Sequence, residues 1–287
     1  MPQTNTSNTM QALATDPIDA MKLSDSRLRE NVAGEARKLH PGQRVRLLSY
    51  NIQTGIATRR YHHYFTHSWK HLLPHGERID NLNRIARLVH EYDVVGLQEV
   101  DAGSLRSGFI NQTEYLAVRA HFPYWYDRTN RNLGKIARHS MGLLTRFSAD
   151  DVSEHNLPGV IPGRGALTVR FETDGDPLVL VILHLALGRR ARLRQLEFVR
   201  DLVHDYRNVV VMGDMNCQPE SEEMLWLLAN SNLVEPIANL HTFPSWRPFR
   251  NIDHILVTPS LEVEDVRVLN YPLSDHLPIA MTVRLPD

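Results

Sequence analysis

The fold is decided by the stretch VVVMGDMN, residues 209–216. Four apolar residues lead through Gly213 directly into Asp214 and Asn216. A continuous apolar run is typical of a strand buried on both faces, so a carboxylate that follows the run lies at the end of the strand. Because Asp214 and Asn216 are two residues apart on an extended segment, their side chains point to the same face. This pair is suited to holding and polarising a water molecule.

Five other apolar runs carry polar residues at one end. They are LLSYN ending at Asn51, VVGLQE ending at Glu99, VILH ending at His184, NIDHILV around Asp253, and LSDHLP around Asp275 and His276. Each motif alone is weak evidence, since a Gly-Asp-x-Asn sequence is often only a turn and a lone histidine at a strand end is often structural. The six strand ends together predict one site on which these side chains converge.

The residue types at these strand ends fit a divalent cation that acts on a phosphate group. Mg²⁺ prefers oxygen ligands, and Glu99 is the best candidate for a direct ligand. Phosphoryl transfer also needs a positioned water molecule and stabilisation of charge on the non-bridging oxygens. A histidine can bind those oxygens or move a proton, and a carboxylate behind it fixes its tautomer. We therefore predict that Asp253 orients His276.

The ordered set of motifs resembles the endonuclease/exonuclease/phosphatase superfamily, the metal-dependent phosphoesterases that include DNase I, abasic-site endonucleases, inositol-phosphate 5-phosphatases and neutral sphingomyelinases. The resemblance spans residues 44–286. It implies an α/β (α+β) fold of two packed β-sheets flanked by helices, a four-layer DNase I-like sandwich with the site at one edge. It also implies an Mg²⁺ or Mn²⁺ cofactor, held by Asn51 and Glu99, with Asp275 supporting this metal position or a second one.

The resemblance further implies roles in catalysis for five residues. Asp214 would activate or orient the attacking water, and Asn216 would contact the phosphate. The catalytic histidine would be His276, paired with Asp253. His184 resembles the second histidine of the DNase I and sphingomyelinase branches of the superfamily.

Two positions depart from the family pattern. Gln53 stands where many members have Asp, and Met141 precedes the glycine of a central strand, where many members have Asn or Tyr. Met141 cannot donate a hydrogen bond to phosphate, so His139 or Ser140 would have to replace it. These departures favour one alternative, a protein that binds a phosphate ligand without catalysis.

Several segments are candidates for substrate recognition. Residues 59–75 contain five of the fifteen histidines and could form a lid of aromatic and cationic groups, a second metal site, or an exposed loop with no such role. Arg106 and Arg164 could each clamp a phosphate, and Trp246 could flank the substrate. For each of these residues a purely structural role is an equal alternative.

Length and composition favour a single catalytic domain. The 287 residues fit an N-terminal tail and helix-compatible linker over residues 1–43, followed by a catalytic domain over residues 44–287. The net charge of −1 argues against a broad nucleic-acid surface. No apolar run reaches the roughly 20 residues of a transmembrane helix, and the N-terminus lacks a signal-peptide pattern. We therefore expect a cytoplasmic protein.

The sequence thus predicts a divalent-metal-dependent hydrolase that cleaves a phosphodiester or phosphomonoester by in-line attack of water. The near-neutral charge, the histidine-rich insert and His184 favour a small molecule or a lipid head group as substrate. A DNA-processing nuclease of the abasic-site or exonuclease type is the alternative within the same superfamily. Peripheral membrane contact through residues 61–73 and the oligomeric state are left open.

Overall fold

The computed structural model describes residues 29–30, 37–55, 75–104, 107, 109–132, 138–159, 164–237 and 240–287. The insert that was a candidate lid lies outside these residues, apart from its last position, His75. Within the described ranges the chain forms twelve strands, which are β1 (Arg29–Glu30), β2 (Arg44–Asn51), β3 (Val94–Asp101), β4 (Tyr124–Asn132), β5 (Arg138–Thr145), β6 (Asp151–Asn156), β7 (Gly165–Phe171), β8 (Leu178–His184), β9 (Asn208–Asp214), β10 (Asp253–Val257), β11 (Glu262–Val268) and β12 (Ile279–Arg284). The α-helices in the same ranges are α1 (His75–Val89), α2 (Gln112–Arg119), α3 (Arg189–Val203) and α4 (Glu222–Ala229).

The strands form two mixed sheets. The first has the order β1-β4-β5-β3-β2-β12-β11 and the second the order β10-β9-β8-β7-β6. Each sheet contains one parallel pair, β2 with β3 and β8 with β9, whereas the other pairs are antiparallel. Since parallel strands end at the same edge of a sheet, the two parallel pairs bring the ends of β2, β3, β8 and β9 to the edges where the polar motifs stand.

The two sheets face each other across an apolar core, as the continuous apolar runs predict. Every residue of β8 and β9 is buried. The sheets pack tightly at Gly96, where an added Cβ would lie 2.7 Å from the Cε of Met212 in the opposite sheet. Helices α1 and α2 cover the outer face of the first sheet, and α3 and α4 cover the outer face of the second. This arrangement confirms the predicted four-layer sandwich.

The helices are held against the sheets by apolar faces. In α1 the side chains of Leu82, Ile85, Leu88 and Val89 are all buried against the first sheet, which is the spacing of one helical face. In α3 the run of arginines is not uniformly exposed. Arg192 lies with its guanidinium 2.6 Å from Glu223 of α4, and both side chains are largely buried. This ion pair joins the two helices that cover the second sheet.

The segment before β2 contacts the sandwich. Leu39 is buried in the core between the sheets, and Arg37 forms an isolated bridge with Phe147. The division of the chain at residue 44 stays a prediction. In the described part of the chain, no helix combines the length and the apolar character that crossing a membrane requires.

Candidate active site

The strand ends of both sheets meet at Asp214. The side-chain amide of Asn51, at the end of β2, donates a hydrogen bond of 3.1 Å to Asp214 at the end of β9, so the contact joins the two sheets. Within the second sheet, Asp214 pairs in register with His184 of β8 on one side and with Asp253 of β10 on the other. The convergence expected from the sequence is therefore present for these four residues.

Gly213 determines how Asp214 enters the site. Its φ is +146°, and an added Cβ would lie 2.0 Å from the carbonyl oxygen of Leu183 on the neighbouring strand. No side chain fits there, because the contact is with backbone that cannot move aside. The glycine thus allows β9 to lie against β8 while the chain turns Asp214 towards the first sheet.

Glu99 is presented by a β-bulge. Leu97 pairs with Gly142 and Val100 pairs with Ser140, so two residues of β3 oppose the single residue Met141 of β5. Glu99 itself has a φ of +55°, a left-handed conformation that is uncommon for a residue with a side chain. Such bulges redirect side chains and are frequent next to active sites.

The bulge leaves the Glu99 side chain about one third exposed, with its Oε1 4.0 Å from Nε2 of His184. A carboxylate with this exposure can take part in binding a cation or a substrate.

His276 and Asp253 form a buried pair. Nδ1 of His276 lies 2.8 Å from Oδ2 of Asp253, and the hydroxyl of Thr242 donates a 2.5 Å hydrogen bond to the same oxygen. The ring of Phe243 lies 5.0 Å from the imidazole, centroid to centroid. With Nδ1 engaged, Nε2 is directed towards Asp214, at 3.9 Å from its Oδ2.

Burial and the concentration of carboxylates shift the pKa values of three groups. Burial, reinforced by Asp253 and Glu99, raises the pKa of Asp214 to about 7. Burial also raises the pKa of Asp275 to about 6, and Glu99 adds to this effect. For His276 burial alone would lower the pKa, but the negative charges of Asp253, Asp214 and Asp275 prevail and raise it to about 10. This environment therefore favours the imidazolium form of His276 and makes Asp214 easier to protonate than an ordinary aspartate.

The loop that carries Asp275 and His276 is fastened to the end of β2. The hydroxyl of Ser274 donates a 2.6 Å hydrogen bond to the carbonyl of Asn51 and accepts one of 3.1 Å from the backbone N–H of His276. The backbone N–H of Ser245 donates to the carbonyl of Asp275 at 2.8 Å. This loop connects β11 to β12, so the contacts bring its acid and its histidine to the seam between the sheets.

His184 and Asn216 complete the surroundings of Asp214. Nε2 of His184 is 3.3 Å from Oδ2 of Asp214. The backbone N–H of Asn216 donates to Oδ1 of the same carboxylate at 3.0 Å, and its side-chain amide donates to the carbonyl of Leu185, also at 3.0 Å. The amide of Asn216 is thus held in a fixed position on the same side of the site as Asp214.

Arg164 brings a positive charge to the site. Burial lowers the pKa of its guanidinium, and the charges of Asp214 and Glu99 act in the opposite direction, which shows that both carboxylates are near. Within the described ranges, its guanidinium has no hydrogen-bond or ion-pair partner. It is therefore available to an anionic ligand.

The other residues predicted to contact the substrate are less well defined. Ser140 is buried, and Met141 is part of the core between the sheets, so Met141 does not face the site. The backbone of His139 pairs with Asp101, but its side chain lies outside the described structure. Trp246 is half-buried in the segment that precedes β10.

Arg106 also lies outside the described residues. The neighbouring hydroxyls of Ser104 and Ser107 are both bound to the buried carboxylate of Asp101, at 2.6 and 2.9 Å. They stabilise the turn after β3.

Three residues of the site region were not expected from the sequence. Thr242 fixes Asp253, Ser274 fixes the loop of His276, and His254 lies on the opposite face of β10 from Asp253. Nδ1 of His254 is 2.9 Å from Glu235 and its Nε2 is 2.8 Å from the carbonyl of Cys217, so it supports the chain just beyond Asn216. For His254 a signal existed, since it directly follows Asp253 and must point the other way.

The site offers a candidate position for a divalent cation. Ligand atoms of Asp214, Asp253 and His276 lie within 4.8 Å of one another. Glu99, Asn51 and Asp275 add oxygen donors at the same edge, and hard cations prefer such a set. Burial, with a smaller contribution from neighbouring carboxylates, raises the pKa of Asp214 and of Asp275, and a bound cation would favour their charged forms. The residues present therefore fit a divalent metal ion.

Comparison with known proteins agrees with this geometry. The family model for the Endonuclease/Exonuclease/phosphatase family matches residues 48–276, a range that begins just before Asn51 and ends at His276. No curated protein sequence matches the chain significantly.

Solved structures share the fold at low sequence identity. An endonuclease/exonuclease/phosphatase from Beutenbergia cavernae DSM 12333 has a TM-score of 0.65 at 20% identity, covering 85% of this chain and 72% of that one. A mannosyl-6-phosphatase from Bacteroides thetaiotaomicron VPI-5482 has a TM-score of 0.62 at 18% identity, with coverages of 83% and 99%. Beta toxin from Staphylococcus aureus has a TM-score of 0.59 at 14% identity, again with coverages of 83% and 99%. At these identities the similarity is one of fold.

Proposed function

The chain belongs to the endonuclease/exonuclease/phosphatase family and is a phosphoesterase of that family, and from this premise we propose that it hydrolyses a phosphodiester of a small molecule or lipid head group with the help of a divalent metal ion. One observation carries the proposal. The buried carboxylate of Asp214 lies within hydrogen-bonding or ion-pairing distance of Asn51, His184 and His276, so groups that can bind a metal, a water molecule and a phosphate meet at one point.

The metal ion is proposed to be Mg²⁺ or Mn²⁺, held by Glu99 and Asn51 with support from Asp275. We favour a metal position beside Glu99 and Asn51 over one beside Asp253. The reason is that Oδ2 of Asp253 already accepts hydrogen bonds from Thr242 and His276. When bound, the ion supplies Lewis-acid stabilisation of charge on the phosphoryl oxygens.

The attacking water is proposed to be held by Asp214. With a pKa of about 7, this carboxylate is matched to accepting a proton near neutral pH. The surrounding negative charges favour the imidazolium form of His276, and Asp253 fixes the orientation of its ring through Nδ1. Its Nε2 can donate a hydrogen bond to a phosphoryl oxygen as negative charge develops there. His184 is proposed to share this role from the other side of Asp214.

The phosphate is proposed to be positioned by Arg164 and Asn216. The guanidinium of Arg164 is partly buried and lies near the catalytic carboxylates. Within the described ranges it forms no hydrogen bond or ion pair. A guanidinium can bind two phosphoryl oxygens at once. The amide of Asn216 is held beside Asp214 and provides a neutral donor. Trp246, His139, Ser140 and Arg106 stay predictions as further contacts.

The test is a metal-dependence assay on bis-p-nitrophenyl phosphate. We expect hydrolysis that needs Mg²⁺ or Mn²⁺ and that falls by on the order of 10²-fold or more in Asp214→Asn and in His276→Ala. His204→Ala is the matched control, because His204 is an exposed histidine at the end of α3 and its loss should leave the rate unchanged. Metal-independent turnover, or equal rates in all variants, would exclude the proposal.

A phosphomonoester is the second candidate, because the fold is shared with a mannosyl-6-phosphatase. The same assay with p-nitrophenyl phosphate and sugar phosphates decides between the two bond types. An abasic-site DNA duplex in the panel tests the nuclease alternative, for which activity should depend steeply on salt concentration.

A further inference from the structure

Two loops at the catalytic edge carry large apolar side chains in solvent. Leu187 stands three residues after His184 and is 75% exposed, and Phe249 stands four residues before Asp253 and is 63% exposed. The second loop lies at the site, since the ring of Phe243 contacts His276 and the backbone of Phe249 is hydrogen-bonded to that of Phe243. Both apolar side chains thus belong to loops at the edge of the second sheet where β8 and β9 end and β10 begins.

Arginines surround both apolar side chains, without any acidic residue in either segment. Residues 185–194 contain four arginines and residues 243–250 contain two, although the whole chain has 32 basic and 33 acidic residues. Arg190, Arg194 and Arg247 are exposed, and none of them has an ion-pair partner in the described part of the chain. Since Arg189 and Arg192 are paired with Glu222 and Glu223, the exposed positive charge of these two segments rests on Arg190, Arg194 and Arg247, beside the carboxylates of the site.

Folding does not account for this charge. Arg190 and Arg194 are four residues apart on α3, so their like charges repel each other. Arg190 lies in the first turn of the helix, where the helix dipole disfavours positive charge, whereas Arg194 lies in the second turn, three residues before Glu197. The first turn of α3 has no acidic residue, and no side chain caps it. Arg190 therefore adds nothing to the stability of α3, and its exposed charge is available to a ligand.

We propose that this basic apolar rim, defined as Leu187, Arg190, Arg194, Arg247 and Phe249, binds the surface of an anionic phospholipid bilayer. The inference rests on the proposed function and deepens it, because it identifies the diester as one presented at a lipid surface. Apolar side chains that enter the head-group region beside arginines that bind lipid phosphates are the usual means of peripheral membrane binding.

A lipid surface fits the rim better than single-stranded nucleic acid. Nucleic acid is bound through aromatic side chains that stack on bases, and Phe249 could do so. Leu187 is the more exposed of the two apolar side chains, and it has no aromatic face to stack. Burial of an aliphatic side chain is instead favourable in the head-group region of a bilayer.

The experiment is co-sedimentation with vesicles in the presence of EDTA, so that no turnover occurs. The full chain should sediment with vesicles of phosphatidylcholine and phosphatidylglycerol and much less with phosphatidylcholine alone. Arg190→Gln with Arg194→Gln should weaken binding to the anionic vesicles by roughly 30-fold. Leu187→Ser with Phe249→Ser should weaken it by on the order of 10-fold or more.

Matched controls come from the opposite ends of the strands. Arg207, an exposed arginine directly before β9, and Val234, a 41% exposed residue that pairs with Val257 at the far end of β10, should tolerate Arg207→Gln and Val234→Ser without loss of vesicle binding. Melting temperatures of all variants should stay near that of the wild type, since every substituted side chain is exposed.

The outcomes distinguish a failure of the rim proposal from a failure of the proposed function. If the wild type hydrolyses bis-p-nitrophenyl phosphate but does not sediment with anionic vesicles, the rim proposal is wrong and the proposed function stands. If it sediments but hydrolyses no phosphoester, the proposed function fails and the surface stands. Equal losses in the rim variants and the controls would also overturn the rim. The rim proposal would also be overturned if the rim residues were required for tight binding to a single-stranded oligonucleotide and the protein did not bind vesicles.

Discussion

At the scale of single residues, the site depends on the groups that stabilise the negative charge of one buried carboxylate, Asp214. A buried charge is costly unless other groups bind it, and Asp214 receives the amide of Asn51 at 3.1 Å, the backbone N–H of Asn216 at 3.0 Å and Nε2 of His184 at 3.3 Å. These contacts do not fully offset the cost of burying the charge, to which the nearby charges of Asp253 and Glu99 add. The result is a buried carboxylate whose pKa is raised to about 7.

The first prediction concerns Asp253→Asn. The substitution removes the main charge that raises the pKa of His276 to about 10, so the pKa should fall as burial opposes only the remaining charges of Asp214 and Asp275. We expect kcat to fall by on the order of 10²–10⁴-fold, and the alkaline limb of the pH–rate profile to move down from about pH 10. The measurement is kcat/KM against pH for both proteins. An unchanged alkaline limb would show that His276 is not the group that titrates.

The same pair has a consequence for stability. The pKa of His276 is higher in the folded protein than its ordinary value of 6.5, so its pairing stabilises the fold fully below about pH 6.5 and loses this effect as the pH rises through about 10. In metal-free buffer the wild type should therefore lose free energy of unfolding over this interval. Asp253→Asn should show a smaller decrease, and urea titrations at several pH values measure both.

At the scale of secondary-structure elements, the strand β9 ends in a conformation that only glycine permits. We expect Gly213→Ala to reduce the free energy of unfolding by at least about 3 kcal/mol, because the new Cβ would meet the carbonyl of Leu183 at 2.0 Å. Gly175→Ala is the control, since its Cβ would find only Thr173 Oγ1 at 3.9 Å and should change stability by less than about 1 kcal/mol. Denaturant titration compares them, and similar stabilities would contradict the explanation.

The ion pair between α3 and α4 gives a second prediction at this scale. Arg192→Ala leaves the carboxylate of Glu223 buried without its partner, and we expect a loss of about 3–5 kcal/mol in the free energy of unfolding. Arg189 forms a comparable contact with Glu222 at 2.9 Å, but both side chains are mostly exposed. Arg189→Ala should therefore cost at most about 1 kcal/mol. Equal losses in the free energy of unfolding for the two variants would mean that burial does not make the Arg192 pair more important to stability.

The elements also show where sequence reasoning succeeds and where it stops. Continuous apolar runs predicted β8 and β9, because burial on both faces leaves no place for polar residues, and the strand ends predicted that Asn51 and Asp214 would meet. No pattern in the sequence indicates the bulge at Glu99. A bulge is a mismatch in pairing between β3 and β5, and each strand alone gives no sign of its register. Likewise, Thr242 binds Asp253 through a loop whose conformation no periodic pattern encodes.

At the scale of the whole molecule, metal binding should couple to stability because the carboxylates that surround the site come from both sheets. Saturating Mg²⁺ or Mn²⁺ should add about 2.7 kcal/mol at a hundred times Kd, which corresponds to a rise in Tm of several degrees for a chain of this size. Glu99→Gln should remove most of this rise. Glu91→Gln, an exposed position before the opposite end of β3, should keep it.

Differential scanning fluorimetry with and without EDTA measures both variants. A metal-dependent rise that persists in Glu99→Gln would place the ion elsewhere, with the group formed by Asp214, Asp253 and His276 as the next candidate.

The position of β12 in the first sheet affects how the protein is made. This strand lies between β2 and β11, and its Arg284 pairs with Arg44, so most of the chain separates the two partners. During translation at about 5–20 residues per second, β2 leaves the ribosome roughly ten seconds or more before its neighbour exists. Throughout that time the nascent chain exposes an apolar strand edge, and it also lacks His276. Synthesis therefore passes through an inactive intermediate whose exposed strand edge is a binding site for a chaperone.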